Sequence, residues 1–168
     1  MNYSAYQPRP DLLKDRIILI TGAGDGIGRA AAISYALHGA TVVLHGRTLN
    51  KLEVIYDEIE SLGAPQPAIL PLQLSSASSH DYELLVSTLE QQFGRVDGIL
   101  HNAGMLGDRV ELADYPVDVW DDVMAVNLRA SFALTQALLP LLQKSEHASV
   151  LFTSSSVGRE ARALWGAY

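Results

Sequence analysis

Residues 16–39 read RIILITGAGDGIGRAAAISYALHG, and this stretch decides the fold. A short apolar run ends at Thr21 and leads directly into four glycines at alternate positions. Apolar residues then recur at the spacing of a helix. A strand, a glycine-rich turn and a helix N-terminus together place free backbone N–H groups and the positive end of a helix dipole where a phosphate can bind. The stretch therefore predicts a strand–turn–helix unit that binds the pyrophosphate of a nucleotide, although a tight turn with close packing would also favour glycine.

The rest of the chain repeats the alternation of short apolar runs and longer segments with helical periodicity. Such an order is typical of parallel strands covered by helices on both faces. It predicts an α/β fold, a doubly wound Rossmann-type parallel sheet of five strands in the order 3-2-1-4-5. The predicted strands are 16–21, 41–46, 68–74, 96–101 and 149–154. The predicted helices are 27–38, 49–62, 79–93 and 117–143.

Single residues refine these boundaries. Thr48 and Ser79 are the predicted N-caps of the second and third helices, because their side chains can accept a backbone hydrogen bond. Pro140 is expected to bend or end the last helix, since it has no amide hydrogen. The segment before Arg16 is predicted to be an extended lead-in to the first strand.

Composition and charge exclude several classes of protein. The chain has 168 residues, of which 48% are apolar, and this fits one globular domain over residues 1–168. Lys and Arg total 12 against 19 Asp and Glu, so the net charge is −7 and nucleic acid is not an expected partner. There is no Cys, which excludes disulfides and thiolate metal sites, and we predict no metal. No leader pattern and no apolar run approaching 18 residues is seen, so we expect a cytoplasmic protein without a membrane segment.

The spacing of the glycines narrows the choice of ligand. A P-loop needs a lysine followed by Ser or Thr after the last glycine, and Arg29 stands there instead. The dinucleotide fingerprint GxGxxG/A is met by Gly26, Gly28 and Ala31. Residues 22–26 also spell the GxGxG of many S-adenosylmethionine-dependent methyltransferases. The acidic residue usual two positions before that first glycine is absent, which weakens the methyltransferase interpretation.

The end of the second strand indicates which dinucleotide. An NAD site usually has an acidic residue about 20 residues after the glycine turn, whereas a nearby Arg accommodates the 2′-phosphate of NADP. This chain has Gly46 and Arg47 at that point and no carboxylate. An arginine can hold a phosphate through two hydrogen bonds, so NADP is favoured over NAD. Asp25, a negative charge within the phosphate loop, opposes this preference.

With Thr21, Gly22, Gly26, Ile27 and Gly28 spelling TGxxxGIG, the chain resembles the short-chain dehydrogenase/reductase family. Further motifs agree along almost the whole length. The segment 101–104, HNAG, is similar to the family's NNAG, with His in place of the first Asn. The region 138–168 looks especially like uncharacterised bacterial oxidoreductases of this family.

The resemblance implies a catalytic set. Asn127 falls where the family has a helix-borne catalytic Asn that supports a proton-relay water. Ser155 lies 13 residues before Tyr168, the separation of the family's catalytic Ser and Tyr. By this resemblance Tyr168 is the general acid or base, and Ser155 orients the substrate oxygen.

The resemblance also implies a set of cofactor-binding residues. Gln73 stands where the family often has an Asp that accepts a hydrogen bond from the adenine amino group. The amide oxygen of Gln73 can still accept this hydrogen bond. The full set, by residue, is Gly22, Gly24, Asp25, Gly26, Ile27, Gly28, Arg47, Gln73, Asn102, Ala103 and Gly104.

The function that follows is an NADP-dependent oxidoreductase that transfers hydride between the nicotinamide and a small alcohol or carbonyl substrate. Family members usually form dimers or tetramers, so a homo-oligomer is possible. The sequence stops at Tyr168, before the Lys of the family's YxxxK, and we expect a Rossmann domain incomplete at its C-terminus and inactive as written. The alternative is a non-catalytic dinucleotide-binding or cofactor-sensing module, in which Ser155 and Tyr168 are relics.

Overall fold

A computed structural model of the chain describes residues 6–168. The five strands are β1 (Ile17–Thr21), β2 (Thr41–Gly46), β3 (Ala68–Pro71), β4 (Gly98–His101) and β5 (Ser149–Phe152). The helices are α1 (Gly26–Leu37), α2 (Leu49–Ser61), α3 (Ser79–Phe93), α4 (Val117–Met124) and α5 (Ala130–Leu142), and a π-helical turn (Ala125–Arg129) joins the last two. All strand pairs are parallel and the order is β3-β2-β1-β4-β5, which confirms the predicted doubly wound sheet.

Each face of the sheet contributes to a separate core, because successive side chains of a strand point to opposite faces. On one face Leu19, Val43 and Ile99 pack with the buried residues of α3 and α5. On the other face Ile20 and Leu44 pack with the buried residues of α1 and α2. Coverage on both faces explains why the strands are nearly continuous in apolar residues.

Two strands end earlier than predicted. β3 ends at Pro71 instead of residue 74, and β5 ends at Phe152 instead of residue 154. In both cases the neighbouring strand has ended, at Gly46 and His101 respectively, so the ladder has no further partner residues. The segments that follow are freed from the sheet and extend beyond its carboxyl edge.

One predicted N-cap is corrected, and of the two effects expected of Pro140, a bend or an end, the end is not observed. The N-cap of α3 is Ser78 and not Ser79, because Ser78 and Asp81 form a reciprocal capping box. Pro140 does not end α5, which continues to Leu142. Pro140 removes only its own donor, and the Gln143 amide still donates to the carbonyl of Leu139, the residue before the proline, at 2.9 Å. Thr48 does occupy the N-cap of α2, without a side-chain hydrogen bond.

The lead-in segment is not extended as predicted. Residues 10–15 form turns, and the amides of Leu13 and Asp15 donate to the carbonyls of His38 and Gly39 at the end of α1, at 2.9 and 3.2 Å. The side chain of Leu13 packs against the core on that face. Residues 1–5 of the predicted lead-in lie outside the described residues.

The helical stretch from Val117 to Leu142 is long and apolar enough to meet a length-and-composition criterion for crossing a membrane, with a mean hydropathy of 1.2. Core helices of soluble proteins meet the same criterion. In this fold the buried residues of α5 pack on α3 and the sheet. The stretch is therefore the core helix of the α/β fold.

Candidate functional site

A cleft of about 440 Å³ opens at the carboxyl edge of the sheet. It lies beside β1, where the strand order reverses between β2 and β4. In open α/β sheets ligands bind at this switch point. The cleft brings together six of the predicted cofactor residues, which are Gly22, Gly24, Asp25, Arg47, Ala103 and Gly104.

The glycine turn packs too closely for side chains at two positions. A Cβ on Gly22, whose φ is +67°, would lie 2.9 Å from the Ala103 Cα. A Cβ on Gly28 would collide with the carbonyl oxygen of Gly22 and lie 2.7 Å from the Asn102 Nδ2. Glycine at these positions lets α1 begin directly against the end of β1. The turn therefore presents backbone to the cleft, as a phosphate site requires.

Gly26 requires glycine for a different reason. Its φ is +53°, but a Cβ there would meet no atom within 4 Å. Gly26 is the first residue of α1, and its amide donates to the Asp25 carboxylate at 2.8 Å. Asp25 is thus the N-cap of α1. The backbone conformation, and not lack of space, selects glycine at position 26.

The hydroxyl of Thr21 ties the glycine turn to the segment after β4. It is buried, accepts hydrogen bonds from the amides of Asn102 and Ala103 at 2.9 and 3.0 Å, and donates to the Leu100 carbonyl at 3.4 Å. The Asn102 side chain contacts the Gly22 carbonyl at 3.5 Å. Asn102 does not itself line the cleft, but it fixes the position of the two residues after it, which do.

The cleft rim carries two cations. Arg47 lies at the tip of β2, as predicted, and is exposed. Lys51, which sequence reasoning missed, lines the cleft from the first turn of α2 and its ammonium lies 2.7 Å from the Asp25 carboxylate. That ion pair lowers the pKa of Asp25, with a further contribution from the Gly26 amide. The negative charge of Asp25, which seemed to oppose NADP, is thus paired.

Besides Gly26 and Asn102, three further predicted residues do not line the cleft. Ile27 is 66% exposed, and Gln73 is also exposed. The Gln73 amide donates to the Ser75 hydroxyl at 3.2 Å. Its neighbours Leu72 and Leu74 form the cleft wall at this point. The third is Gly28, which allows α1 to pack against the Gly22 carbonyl.

Two buried histidines lie on one face of the sheet, at the carboxyl ends of β2 and β4. His45 and His101 are two residues beyond Val43 and Ile99, so both face α3 and α5. The His101 ring stacks on Phe152 and its Nε2 lies 2.8 Å from the Thr135 hydroxyl oxygen. His45 lines the cleft and is fully buried, and neither ring nitrogen has a hydrogen-bond partner among residues 6–168. Burial lowers the pKa of both imidazoles to about 4.

These two rings predict a pH dependence of stability. A histidine in the unfolded chain has a pKa of about 6.5. Between pH 6.5 and pH 4 each of these histidines is therefore mostly protonated in the unfolded state and mostly neutral in the folded state. Stability is therefore expected to fall as the pH drops through this window, by up to about 3 kcal/mol per ring. Urea unfolding at a series of pH values measures it.

His45→Leu is expected to reduce this pH dependence and to raise stability at pH 7, because it removes a buried polar group without a partner. His80→Gln, at an exposed histidine, is the matched control. A His45→Leu protein with the unaltered pH dependence would contradict the burial argument.

Asn127 lies in the π-helical turn between α4 and α5. Its side chain forms a two-way pair with the backbone of Met105, accepting from the amide at 2.8 Å and donating to the carbonyl at 2.9 Å. Single π turns within helices often occur at functional sites. The Asn127 amide thus holds the loop after β4, next to Gly104, against the helix.

Ser155 and Tyr168 follow β5 in the sequence. Ser155 is half-buried and precedes a short 3₁₀ turn, Ser156–Gly158. Tyr168 is 43% exposed and packs edge-on against Trp165, with ring centroids 5.8 Å apart. Within residues 6–168 no hydrogen bond joins the two hydroxyls. The described structure thus assembles the cofactor side of the predicted site more fully than its catalytic side.

A model of the family described as short chain dehydrogenase matches residues 16–168. The chain belongs to this family. The match confirms the family resemblance that the TGxxxGIG and HNAG motifs indicated. The proteins similar to this chain include oxidoreductases. The uncharacterized oxidoreductase YciK of Escherichia coli (strain K12) is 52% identical over 163 residues, which are 97% of this chain and 65% of that protein. The chain thus spans less than two thirds of the length of this curated relative.

Solved structures of the short chain dehydrogenases agree with this assignment. A family protein from Shigella flexneri 2a strain 301, complexed with NADP, superposes with a TM-score of 0.92 at 51% identity, covering 95% of this chain and 67% of that chain. A family protein from E. coli CFT073, complexed with NADPH, gives 0.92 at 52% identity, covering 96% and 67% respectively.

Proposed function

We propose that the cleft binds NADP and that the protein, an oxidoreductase of the short-chain type, acts on a small alcohol or carbonyl compound. The reduced coenzyme NADPH, when bound, would donate a hydride to a carbonyl, and the oxidised form NADP⁺ would accept one from an alcohol. The observation that carries the proposal is the combination of a glycine turn without room for side chains at Gly22 and Gly28 and a β2 tip with Arg47 and no carboxylate. The NADP and NADPH complexes of two similar proteins support the same coenzyme.

The residues of the cleft fit such a ligand. Gly22 and Gly24 expose backbone to the position of a pyrophosphate, and the first amides of α1 have no partners within the helix. The walls formed by Leu72, Leu74 and Val126 are apolar, as a purine ring requires. Arg47 supplies a charge that a 2′-phosphate would pair with.

For the reaction itself we propose that Tyr168 exchanges a proton with the substrate oxygen and that Ser155 holds this oxygen by a hydrogen bond. A carbonyl that accepts hydride develops negative charge on oxygen, which a positioned donor stabilises. Asn127 has its side chain occupied by Met105, so its contribution to proton relay would come through the shape of the loop and the π turn. Ala103 and Gly104 are thereby kept at the cleft.

We propose the cytoplasm as the location, because NADP is an intracellular coenzyme, and a homo-oligomer as the assembly. Leu128 and Phe132 are 67% and 65% exposed on the stretch from α4 to α5. Exposed large apolar side chains often mark protein interfaces.

Arg47→Ala tests the choice of coenzyme. The unmodified protein is expected to bind NADP more tightly than NAD, and Arg47→Ala to lose roughly ten- to a hundredfold in NADP affinity, since a hydrogen bond to a charged group contributes about 1.5–3 kcal/mol. NAD affinity should change little. Isothermal titration calorimetry with both coenzymes measures this.

The control is Arg9→Ala, which removes the same charge from an exposed position outside the cleft. Equal affinities for the two coenzymes in the unmodified protein would count against the proposal. So would an Arg47→Ala protein that keeps its discrimination.

A further inference from the structure

We propose that Lys51 is a second specificity-determining cation, which binds the 2′-phosphate of the dinucleotide together with Arg47, and that Asp25 competes with this phosphate for the Lys51 ammonium group. The inference rests on the proposed function, because it assumes a 2′-phosphorylated ligand in the cleft. It assigns a role to a residue on α2 and to the acidic residue of the glycine turn.

Lys51 lies beside the glycine turn and on the same cleft as Arg47. Lys51 is the third residue of α2, and its stem lies over the glycine turn, since a Cβ on Gly24 would come within 3.2 Å of the Lys51 Cβ. Arg47 is four residues earlier, at the β2 tip, and both side chains line the same cleft. Two cations from neighbouring backbone positions thus approach the point where the adenosine ribose of a bound dinucleotide would lie.

Asp25, the partner of Lys51, does not need this ion pair to keep its place. The Asp25 carboxylate has two separate ligands, with Oδ1 accepting from the Gly26 amide at 2.8 Å and Oδ2 from the Lys51 ammonium at 2.7 Å. The Gly26 contact belongs to the helix cap and does not depend on Lys51. Asp25 can therefore stay in place, still hydrogen-bonded, when the ammonium moves to another anion.

Solvent exposure makes this exchange feasible. The side chains of Lys51 and Asp25 are 56% and 79% exposed. Exposed ion pairs contribute little to stability, so breaking this one costs little. A phosphate near its second ionisation carries about −1.5 to −2 charges against the single charge of a carboxylate, and it attracts the flexible ammonium group more strongly. Arg47 adds a planar donor on the same ligand.

By sequence, the negative charge of Asp25 disfavours the 2′-phosphate of NADP, and its pairing with Lys51 reduces this effect. Asp25 pairs with Lys51, and Arg47 makes no ion pair within residues 6–168. The rim therefore carries about one net positive charge. Asp25 lowers the affinity for a 2′-phosphate without abolishing it, and removal of its charge should strengthen binding only while Lys51 is present.

Calorimetric titration with 2′,5′-ADP and with 5′-AMP tests the proposal, because the two probes differ in the 2′-phosphate and neither requires a nicotinamide site. Lys51→Met is expected to bind 2′,5′-ADP about tenfold more weakly, with 5′-AMP unchanged within about twofold. Asp25→Asn is expected to bind 2′,5′-ADP several-fold more tightly. Asn preserves the helix cap, so this variant should fold normally.

The double variant Asp25→Asn/Lys51→Met separates coupling from two independent effects. We expect it to bind like Lys51→Met alone, because Asp25 acts through the ammonium group. Lys14→Met, at an exposed lysine outside the cleft, is the matched control and should match the unmodified protein. Thermal unfolding of each variant shows whether a change in affinity reflects a change in folding.

Unchanged 2′,5′-ADP binding in Lys51→Met would overturn the proposal, and so would an equal loss for both probes. If Arg47→Ala loses NADP affinity while Lys51→Met does not, the proposed coenzyme stands and this inference alone fails. If the unmodified protein binds neither 2′,5′-ADP nor NADPH, the proposed function fails and this inference fails with it.

Discussion

Gly28→Ala is expected to lower the free energy of unfolding by about 3 kcal/mol or more and to remove dinucleotide binding. The new Cβ would collide with the Gly22 carbonyl and crowd the Asn102 side chain at 2.7 Å. The carbonyl belongs to the backbone of the turn, so it cannot move without separating α1 from β1. Urea unfolding followed by circular dichroism gives the stability, and fluorescence titration with NADPH gives the binding.

Two other glycines provide the controls for this experiment. Gly26 and Gly63 both have positive φ, +53° and +69°, and open space where a Cβ would lie. Alanine there should cost only backbone strain, about 1–2 kcal/mol. Gly63 is outside the cleft, so Gly63→Ala should retain binding. If Gly28→Ala is no less stable than these two variants, the close approach of α1 to the turn is wrong.

Tyr168→Phe is expected to reduce carbonyl reduction by about a thousandfold, since a positioned general acid contributes roughly 10²–10⁴ in rate. The assay uses a chain extended beyond Tyr168 to the length of the 52% identical relative, of which this chain covers 65%. Oxidation of NADPH is followed by absorbance with a panel of aldehydes and ketones. NADPH affinity should be unaffected, because the cleft residues that hold the dinucleotide are unaltered.

Tyr6→Phe, at an exposed tyrosine near the N-terminus, is the matched control and should keep full activity. Full activity in Tyr168→Phe would remove Tyr168 from the reaction. An extended chain that binds NADPH tightly and reduces none of the panel would favour the non-catalytic dinucleotide-binding module.

The sequence predicted the sheet order because each strand is a continuous apolar run separated by a helix, and parallel strands with this grammar have few possible topologies. Details that depend on one competing neighbour were less predictable. Ser78 and Ser79 are both good caps, and the choice between them depends on Asp81, three residues after Ser78. The end of β3 depends on its pairing register with β2, in which Gly46 lies opposite Pro71, and no local pattern shows this register.

The site divides in the same way. Glycines and Arg47 were predictable because a strand end has a fixed place at the edge of a parallel sheet. Lys51 was not, because its relevance comes from the packing of α2 against Gly24 and Asp25. His45 looked like one residue of a buried strand, and only the arrangement of the sheet shows that it lines the cleft without a hydrogen-bond partner among residues 6–168.

The most direct test of the central claim is a crystal structure of the chain grown with NADP. The account predicts the pyrophosphate on the backbone of residues 22–28 and the 2′-phosphate within hydrogen-bonding distance of the Arg47 guanidinium. The adenine is predicted to lie against Leu72 and Leu74. A dinucleotide bound elsewhere on the molecule, or bound in the cleft with its 2′-phosphate directed away from Arg47, would contradict it.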